Sequence, residues 1–312
     1  MGIITIILLI IGFVLLIKGA DFFVDGSSSI ATRFGIPSII IGLTIVSMGT
    51  SAPEAAVSIT SSVAGSNALA VSNIIGSNIF NILIVIGATA LLANVKIQRN
   101  VIKEDFPVLL IASFLLLIFS ITDNTISRIE GIILLLGMIA YIYYLIRKIK
   151  STKVPLENNS IKNLGLTKSI LFILGGIICI TVGGNLVVES ATTIALSLGL
   201  SETLVGLTIV AIGTSLPELV TSITAAMDNN VDMAVGNAIG SNIFNILFIL
   251  GVSDIIAPIK TSSTMIFDIV LMIVITIISY ILGKDKLDYN KKDGIILICI
   301  FTIYMIFIII RN

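Results

Sequence analysis

Ten long apolar runs follow one another along the 312-residue chain, separated by polar intervals. A helix needs roughly 20 apolar residues to cross the hydrocarbon core of a bilayer. The pattern therefore predicts ten transmembrane helices, at about residues 2–18, 36–62, 68–93, 105–122, 126–147, 166–187, 200–226, 232–256, 263–283 and 293–310. The first run has no basic residue ahead of it and no small-residue cleavage pattern behind it, so we interpret it as a retained span.

The polar intervals predict an orientation. Lys and Arg are divided fifteen to three between the two sides that the spans define, and the minority side holds Arg128, Lys260 and Arg311. Because positive charge concentrates in cytoplasmic loops, this bias predicts both termini outside the cell and the longest polar interval in the cytoplasm. That interval divides the chain into a first half at 1–148, a linker at 149–165 and a second half at 166–312.

Composition argues against several classes of function. Hydrophobic residues make up 56% of the chain and charged residues 12%, and the formal net charge is zero. His and Trp are absent, so the chain has no imidazole to bind a metal. With a net charge of zero, it has no basic patch that would indicate a nucleic-acid partner. No phosphate-binding loop, Cys-based metal motif or long soluble segment indicates an enzyme. Cys179 and Cys299 lie within apolar runs and are interpreted as small apolar residues. Any ion site must then be built from oxygen.

The most informative feature is an internal repeat with an offset of 164 residues. GLTIVSMGTSAPE at 42–54 returns as GLTIVAIGTSLPE at 206–218, and GSNIFNIL occurs at 76–83 and again at 240–247. Each half contains five predicted spans, so the second half must enter the membrane from the opposite side. We therefore expect inverted repeats, an architecture that places ion sites near the membrane midplane at the repeat interface.

Each half also places one glutamate mid-way along an apolar span, directly after a proline: Glu54 after Pro53, and Glu218 after Pro217. An ionised carboxylate at this depth costs at least about 2.5 kcal/mol, so it requires a cation, a proton or a partner. A carboxylate that is merely hydrogen-bonded to a neighbouring helix is the alternative interpretation, but two equivalent glutamates favour a shared cation. Proline also frees the carbonyl four residues earlier, which then becomes a further oxygen ligand.

The GSNIFNIL motifs supply neutral oxygen. Each contains a serine and an asparagine four residues apart, which share one helix face: Ser77 with Asn81, and Ser241 with Asn245. Asn78 and Asn242 point away from the serines and are interpreted as packing or capping residues. Carboxylate, amide, hydroxyl and carbonyl oxygens together suit Ca2+, which accepts six to eight such ligands, and they also suit Na+.

The repeated GTSxPE and GSNIFN motifs resemble the alpha-1 and alpha-2 repeats of the cation/Ca2+ exchanger superfamily, specifically its prokaryotic Na+/Ca2+ antiporters, over essentially the whole chain. The resemblance implies an all-α membrane protein of ten transmembrane helices in two inverted five-helix repeats, with helices 2, 3, 7 and 8 broken. It implies that Ca2+ is bound by Glu54, Glu218, Thr50 and Thr214. It also implies Na+ sites formed by Ser51, Ser77, Ser215, Ser241 and the carbonyls of Ser47 and Ala211, with Asn81 and Asn245 lining the centre.

The implied function is Na+/Ca2+ antiport by alternating access, in the lipid bilayer of a prokaryotic cell membrane. Ca2+ and Na+ are the expected transported substrates, with no organic cofactor, nucleic acid or protein partner. Some family members carry Asp where this chain has Asn245, including K+-dependent exchangers, so we expect independence from K+. Two alternatives remain open: an H+/Ca2+ antiporter that uses the same glutamates, and a Ca2+-permeable cation channel.

Overall fold

The computed structural model describes residues 3–65, 67–122, 125–151, 164–198 and 211–311. Counting a run that continues through a π-helical turn as one helix, these ranges contain α1 (Ile3–Phe34), α2 (Ser38–Thr50), α3 (Ala52–Val63), α4 (Leu69–Leu92), α5 (Val101–Thr122), α6 (Arg128–Ser151), α7 (Leu166–Ser197), α8 (Ala211–Thr214), α9 (Leu216–Met227), α10 (Val231–Ile256), α11 (Ser263–Lys284) and α12 (Lys291–Arg311). Four short strands lie between them: β1 (Val95–Lys96), β2 (Thr125–Ile126), β3 (Ile259–Lys260) and β4 (Asp288–Tyr289).

Most of these helices have the length and composition of membrane spans. Within the described residues, eight are long and apolar enough to cross a bilayer: α1, α4, α5, α6, α7, α10, α11 and α12. The pair α2 and α3, bent by 50°, forms a ninth span if the two are counted together. The predicted seventh span at 200–226 is described only from residue 211 onward. The protein is thus an all-helical membrane protein, and the count of ten stays a prediction.

The first and sixth spans are longer than the sequence pattern predicts. Helices α1 and α7 each contain 32 residues, so the expected ends near residues 18 and 187 are wrong. Polar side chains within the extensions form ion pairs with one another or hydrogen bonds to the helix backbone. In α1, Lys18 pairs with Asp21 at 3.1 Å, and the Thr32 hydroxyl donates to the Ser28 carbonyl at 3.0 Å. The chain therefore stays helical after its apolar run ends.

The predicted breaks in helices 2 and 7 fall one turn before the buried glutamates. Ser51 (φ −79°, ψ 10°) separates α2 from α3, and Ser215 (φ −93°, ψ 4°) separates α8 from α9. Pro53 and Pro217 lie in the first turn of the following helix. A proline is accommodated there because its missing N–H has no intrahelical acceptor.

Helices 3 and 8 are not broken, contrary to the expectation from the family resemblance. Helices α4 and α10 run through their GSNIFNIL motifs without interruption. Their hydrogen-bond ladder instead widens into π-helical turns at Asn81–Val85 and Asn245–Leu250. These motifs contain no proline, so the ladder can adjust without opening. Such turns often occur at functional sites.

Helices α4 and α10 form the centre of the molecule. They are more buried than the other described spans, and their apolar side chains belong to the larger hydrophobic core. Around them, strands of one half pair with strands of the other: β1 with β4, and β2 with β3, both antiparallel. The two halves are thus joined at the core and through both strand pairs.

A second helix pair, α1 and α7, packs antiparallel through glycines. A Cβ atom on Gly12 would lie 2.9 Å from the Gly183 carbonyl oxygen, and one on Gly19 would lie 3.0 Å from the Gly176 carbonyl oxygen. Glycine permits this approach because it has no side chain. The contacts follow the 164-residue offset, since Gly176 and Gly183 are the equivalents of Gly12 and Gly19.

Candidate ion-binding site

The two broken helices bring both glutamates into the protein interior. Glu54 lies in the first turn of α3 and Glu218 in the first turn of α9, and both side chains are fully buried. The free N–H groups at a helix N-terminus favour negative charge nearby. The same local structure therefore occurs twice: the helix breaks at a serine, and a proline and a glutamate follow in the first turn of the next helix.

Hydrogen bonds to the glutamates cross between the halves. The Ser51 hydroxyl donates to Glu218 Oε1 at 2.8 Å, and the Ser215 hydroxyl donates to Glu54 Oε1 at 2.9 Å. Weaker contacts lie within each half, from Ser77 to Glu54 Oε1 at 3.4 Å and from Ser241 to Glu218 Oε1 at 3.5 Å. Each glutamate therefore has its Oε1 oriented by two serines.

At this site, four of the buried oxygens that accept no hydrogen bond from the described residues lie together in the repeated motifs: Oε2 of Glu54, Oε2 of Glu218, Oδ1 of Asn81 and Oδ1 of Asn245. All four side chains are fully buried. Buried polar atoms in native proteins nearly always have a partner, because an unpaired one retains its full desolvation cost. These four atoms are related by the 164-residue offset and are all hard oxygen acceptors. This is the chemistry of a cation site.

Asn78 and Asn242 hold the central amides in place. Asn81 Nδ2 donates to Asn242 Oδ1 at 3.1 Å, and Asn245 Nδ2 donates to Asn78 Oδ1 at 3.0 Å. Asn78 and Asn242 in turn donate to each other's backbone carbonyls, at 3.3 and 3.1 Å. Because the amide nitrogens are used in this way, the oxygens of Asn81 and Asn245 are left available to a ligand.

Thr50 and Thr214 are bonded to two asparagines that the sequence analysis missed. The Thr50 hydroxyl donates to Asn237 Oδ1 at 3.0 Å, and the Thr214 hydroxyl donates to Asn73 Oδ1 at 3.3 Å. Asn73 and Asn237 are both buried, and they also follow the 164-residue offset. Extending the GSNIFNIL alignment by three residues toward the N-terminus would have found them.

The family of the chain follows from comparison with known proteins. The model of the sodium/calcium exchanger protein family matches residues 4–147 and 168–310. The chain belongs to this family. The family predicted from the repeated motifs is therefore confirmed.

Individual relatives agree. The exchanger chain is 40% identical to the putative antiporter CaxA of Alkalimonas amylolytica, over 96% of each chain. It is 30% identical to the sodium/calcium exchanger MaX1 of Methanosarcina acetivorans, over 97% of this chain and 98% of that one. A structure of the sodium-calcium exchanger NCX_Mj soaked with Na+ and Sr2+ superposes with a TM-score of 0.85 at 31% identity, covering 97% of this chain and 98% of that chain.

The two predicted backbone ligands are the carbonyls of Ser47 and Ala211. The Ser47 carbonyl accepts the Ser51 amide at 3.0 Å and lies 3.4 Å from the Ser241 hydroxyl. The same Ser241 hydroxyl lies 3.5 Å from Glu218 Oε1, so the Ser47 carbonyl is close to that glutamate. Ala211 begins the short helix α8, just before Thr214 and Ser215. The ligand roles of the two carbonyls stay predictions.

Among the described residues, no Lys or Arg forms an ion pair with either glutamate. The ion pairs seen among the described residues lie elsewhere and join Lys18 with Asp21, Lys148 with Glu104, and Arg311 with Asp268. Nor does a third His, Cys, Asp or Glu join the pair to form a metal-binding cluster within the described part of the chain. Two buried negative charges without a protein counter-charge require bound cations or protons.

Proposed function

We propose that this protein is an antiporter that exchanges Na+ for Ca2+ by alternating access. The observation that carries the proposal is the pair of buried glutamate oxygens, Oε2 of Glu54 and Oε2 of Glu218, which accept no hydrogen bond among the described residues. One Ca2+ balances the charge of both carboxylates. Two Na+ ions do the same, so the two ions can replace each other at this centre. Membership of the sodium/calcium exchanger family supports the choice of ions.

In this proposal Ca2+ is held at the centre by Glu54, Glu218, Thr50 and Thr214. The flanking serines and backbone carbonyls hold Na+: Ser51, Ser77, Ser215, Ser241 and the carbonyls of Ser47 and Ala211. Asn81 and Asn245 line the centre with their free amide oxygens. Every one of these ligands is an oxygen, which is the ligand type that both ions prefer.

The proposed architecture is ten spans in two inverted repeats, residues 1–148 and 166–312, joined by a cytoplasmic linker at 149–165. Contacts that repeat with the two halves exchanged support it, as in the serine–glutamate bonds from Ser51 to Glu218 and from Ser215 to Glu54. The ion pair between Lys148 and Glu104 has a counterpart in Arg311 with Asp268. Asp268 follows Glu104 by the 164-residue offset, and Arg311 is one residue short of it. Both termini lie outside the cell in this arrangement.

H+/Ca2+ antiport is the second candidate. It is favoured because no described Lys or Arg pairs with either glutamate, and the same two carboxylates can carry protons. We nevertheless place Na+ first because the hydroxyl and carbonyl oxygens around the glutamates form a shell for a metal cation, which a proton does not need.

Transport in proteoliposomes tests the proposal. Ca2+ uptake should follow an imposed Na+ gradient, saturate with Ca2+, and be unchanged when K+ is replaced by choline. Indifference to K+ is expected because Asn245 is an amide and adds no charge to balance another cation. Uptake driven by a pH gradient without Na+ would instead establish proton coupling, and single-channel currents would establish a channel.

A further inference from the structure

A cavity of about 170 Å³ leads from the surface to the candidate ion site. Its walls come from α3, α7 and α8, and its polar lining consists of Asn185, Glu189 and Thr214. Since a water molecule takes about 30 Å³ in the liquid, the cavity is large enough for a hydrated ion. We therefore treat this cavity as a candidate path for ions.

The floor of the cavity adjoins the ion ligands. Pro53 lines the cavity and directly precedes Glu54; Thr214 lines it and directly precedes Ser215. Ser215 in turn donates to Glu54 Oε1 at 2.9 Å. The cavity thus reaches Thr214, one of the proposed Ca2+ ligands, while Glu54 and Ser215 are fully buried.

Glu189 lies at the outer part of this cavity. Its side chain and that of Asn185 are exposed on α7, one turn apart. Among the described residues, no basic side chain pairs with the Glu189 carboxylate. A carboxylate in a narrow cleft raises the local concentration of cations.

The equivalent acid of the other half, Asp25, lies at the opposite end of the same helix pair. Asp25 on α1 precedes Glu189 by 164 residues. Because α1 and α7 are antiparallel, Asp25 lies beside the Ser169 end of α7 and Glu189 beside the N-terminal end of α1. At 1.5 Å per residue the two acids are about 28 Å apart along the helix axis, close to the thickness of the hydrocarbon core.

This cavity lies on the Glu189 side of the site. On the Asp25 side, the described equivalents of two lining residues, Thr50 and Val24, are at most 1% exposed. The ring of Phe23 would lie 2.7 Å from a Cβ on Gly49, so it fills the space beside the break in helix 2. Among the described residues, Thr214 therefore lines an open cleft while its equivalent Thr50 is covered.

We infer that Glu189 and Asp25 are entrance residues, one for each side of the membrane, which gather cations electrostatically before these reach Glu54 and Glu218. Neither binds the ion in its transported position. This inference rests on the proposed function, since it assigns roles in the approach of ions to that same site.

The test is cation uptake measured from one face at a time, in vesicles sorted by orientation. Glu189→Gln should raise the KM for Ca2+ about threefold or more at low ionic strength from the face of the Glu189 end, with kcat unchanged. Choline chloride at about 1 M should remove most of this effect by screening. Asp25→Asn should raise KM only from the other face, and Glu130→Gln, a charge-matched change outside the cavity, should alter neither.

Charge reversal provides a second variant, because Glu189→Lys should raise KM further at the same exposed position. A KM that stays at the wild-type value from both faces, or an effect that does not weaken with salt, would overturn the entrance role while leaving the exchanger intact. If wild-type protein fails to exchange Na+ for Ca2+ at all, the proposed function itself is wrong.

Discussion

The two oxygens of each buried glutamate differ in their surroundings. In Glu54 and Glu218, Oε1 accepts two serine hydroxyls and Oε2 accepts none from the described residues. The serines fix the direction of the carboxylate. In the proposed site, Oε2 and the carboxylate charge are available to a cation.

Removing that charge should abolish transport without unfolding the protein. We expect Glu54→Gln or Glu218→Gln each to reduce Na+-driven Ca2+ flux by about 100-fold or more, because a bivalent ion would lose one of two buried counter-charges. Thermal melting should show equal or higher stability, since a buried unpaired charge is removed. Glu130→Gln is the control outside the site and should keep its flux. Near-normal flux in either site variant would contradict the shared site.

The asparagines behind the threonines should matter for stability as well as for ion affinity. Asn237 accepts the Thr50 hydroxyl and donates to the Ser222 hydroxyl at 2.9 Å. Asn237→Ala would remove both of these hydrogen bonds, each of which contributes about 0.5–1.5 kcal/mol. The Thr50 hydroxyl would keep the Val46 carbonyl as a partner, and the Ser222 hydroxyl would keep the Ala234 carbonyl. We expect a lower melting temperature and a raised KM for Ca2+ in the same preparation. Asn94→Ala, at an exposed position, is the control. Unchanged stability and KM would show that Asn237 does not support the site.

At the scale of elements, short breaks and close helix contacts position the site. The breaks at Ser51 and Ser215 begin new helices directly before the glutamates, and the π-helical turns at Asn81 and Asn245 keep α4 and α10 continuous. In these repeated segments the breaks lie next to Pro53 and Pro217, and the motifs with π-helical turns at Asn81 and Asn245 contain no proline.

The packing of α1 on α7 can be tested with two adjacent glycines. A Cβ on Gly176 would lie 2.8 Å from the backbone nitrogen and Cβ of Phe23, whereas none of the described atoms lies within 4 Å of one on Gly175. Gly176→Ala should therefore destabilise the protein by about 1–3 kcal/mol through overpacking. Gly175→Ala should be neutral or stabilise it by up to about 1 kcal/mol through helix propensity. Equal melting temperatures for the two variants would contradict this packing.

At the scale of the whole molecule, hydrogen bonds and strand pairs join one half of the chain to the other. The carboxylate of one half is held by the serine of the other, and each strand pairs with a strand from the other half. The ion site therefore cannot form within one half alone. It is a property of the assembled pair.

The orientation of the molecule in the membrane remains a prediction with a direct test. Asn159 in the linker and Asn312 at the C-terminus both lie outside the described residues. In a background without Cys179 and Cys299, a membrane-impermeant thiol reagent should reach Asn159→Cys only from the cytoplasm and Asn312→Cys only from outside. Reaction of both from the same side would exclude two halves of five spans each.

Several features were predictable because they depend on local chemistry. Apolar run length predicts spans, proline predicts a break, and a buried glutamate requires a partner whatever surrounds it. The repeat showed that Glu54 and Glu218 occupy equivalent positions. The resemblance of the motifs predicted the family, and this prediction was confirmed. The continuity of α4 and α10 and the full length of α1 and α7 were missed, because hydrogen bonding and packing between helices decide them.

The sequence by itself determined which residue types were available: two carboxylates, their serines and the amides, each repeated after 164 residues. Only the tertiary structure decided that Ser51 holds Glu218 rather than Glu54, and that Asn73 and Asn237 anchor the threonines. The physical reason is distance along the chain. These contacts join residues more than 140 positions apart, so they arise only when the two halves pack together.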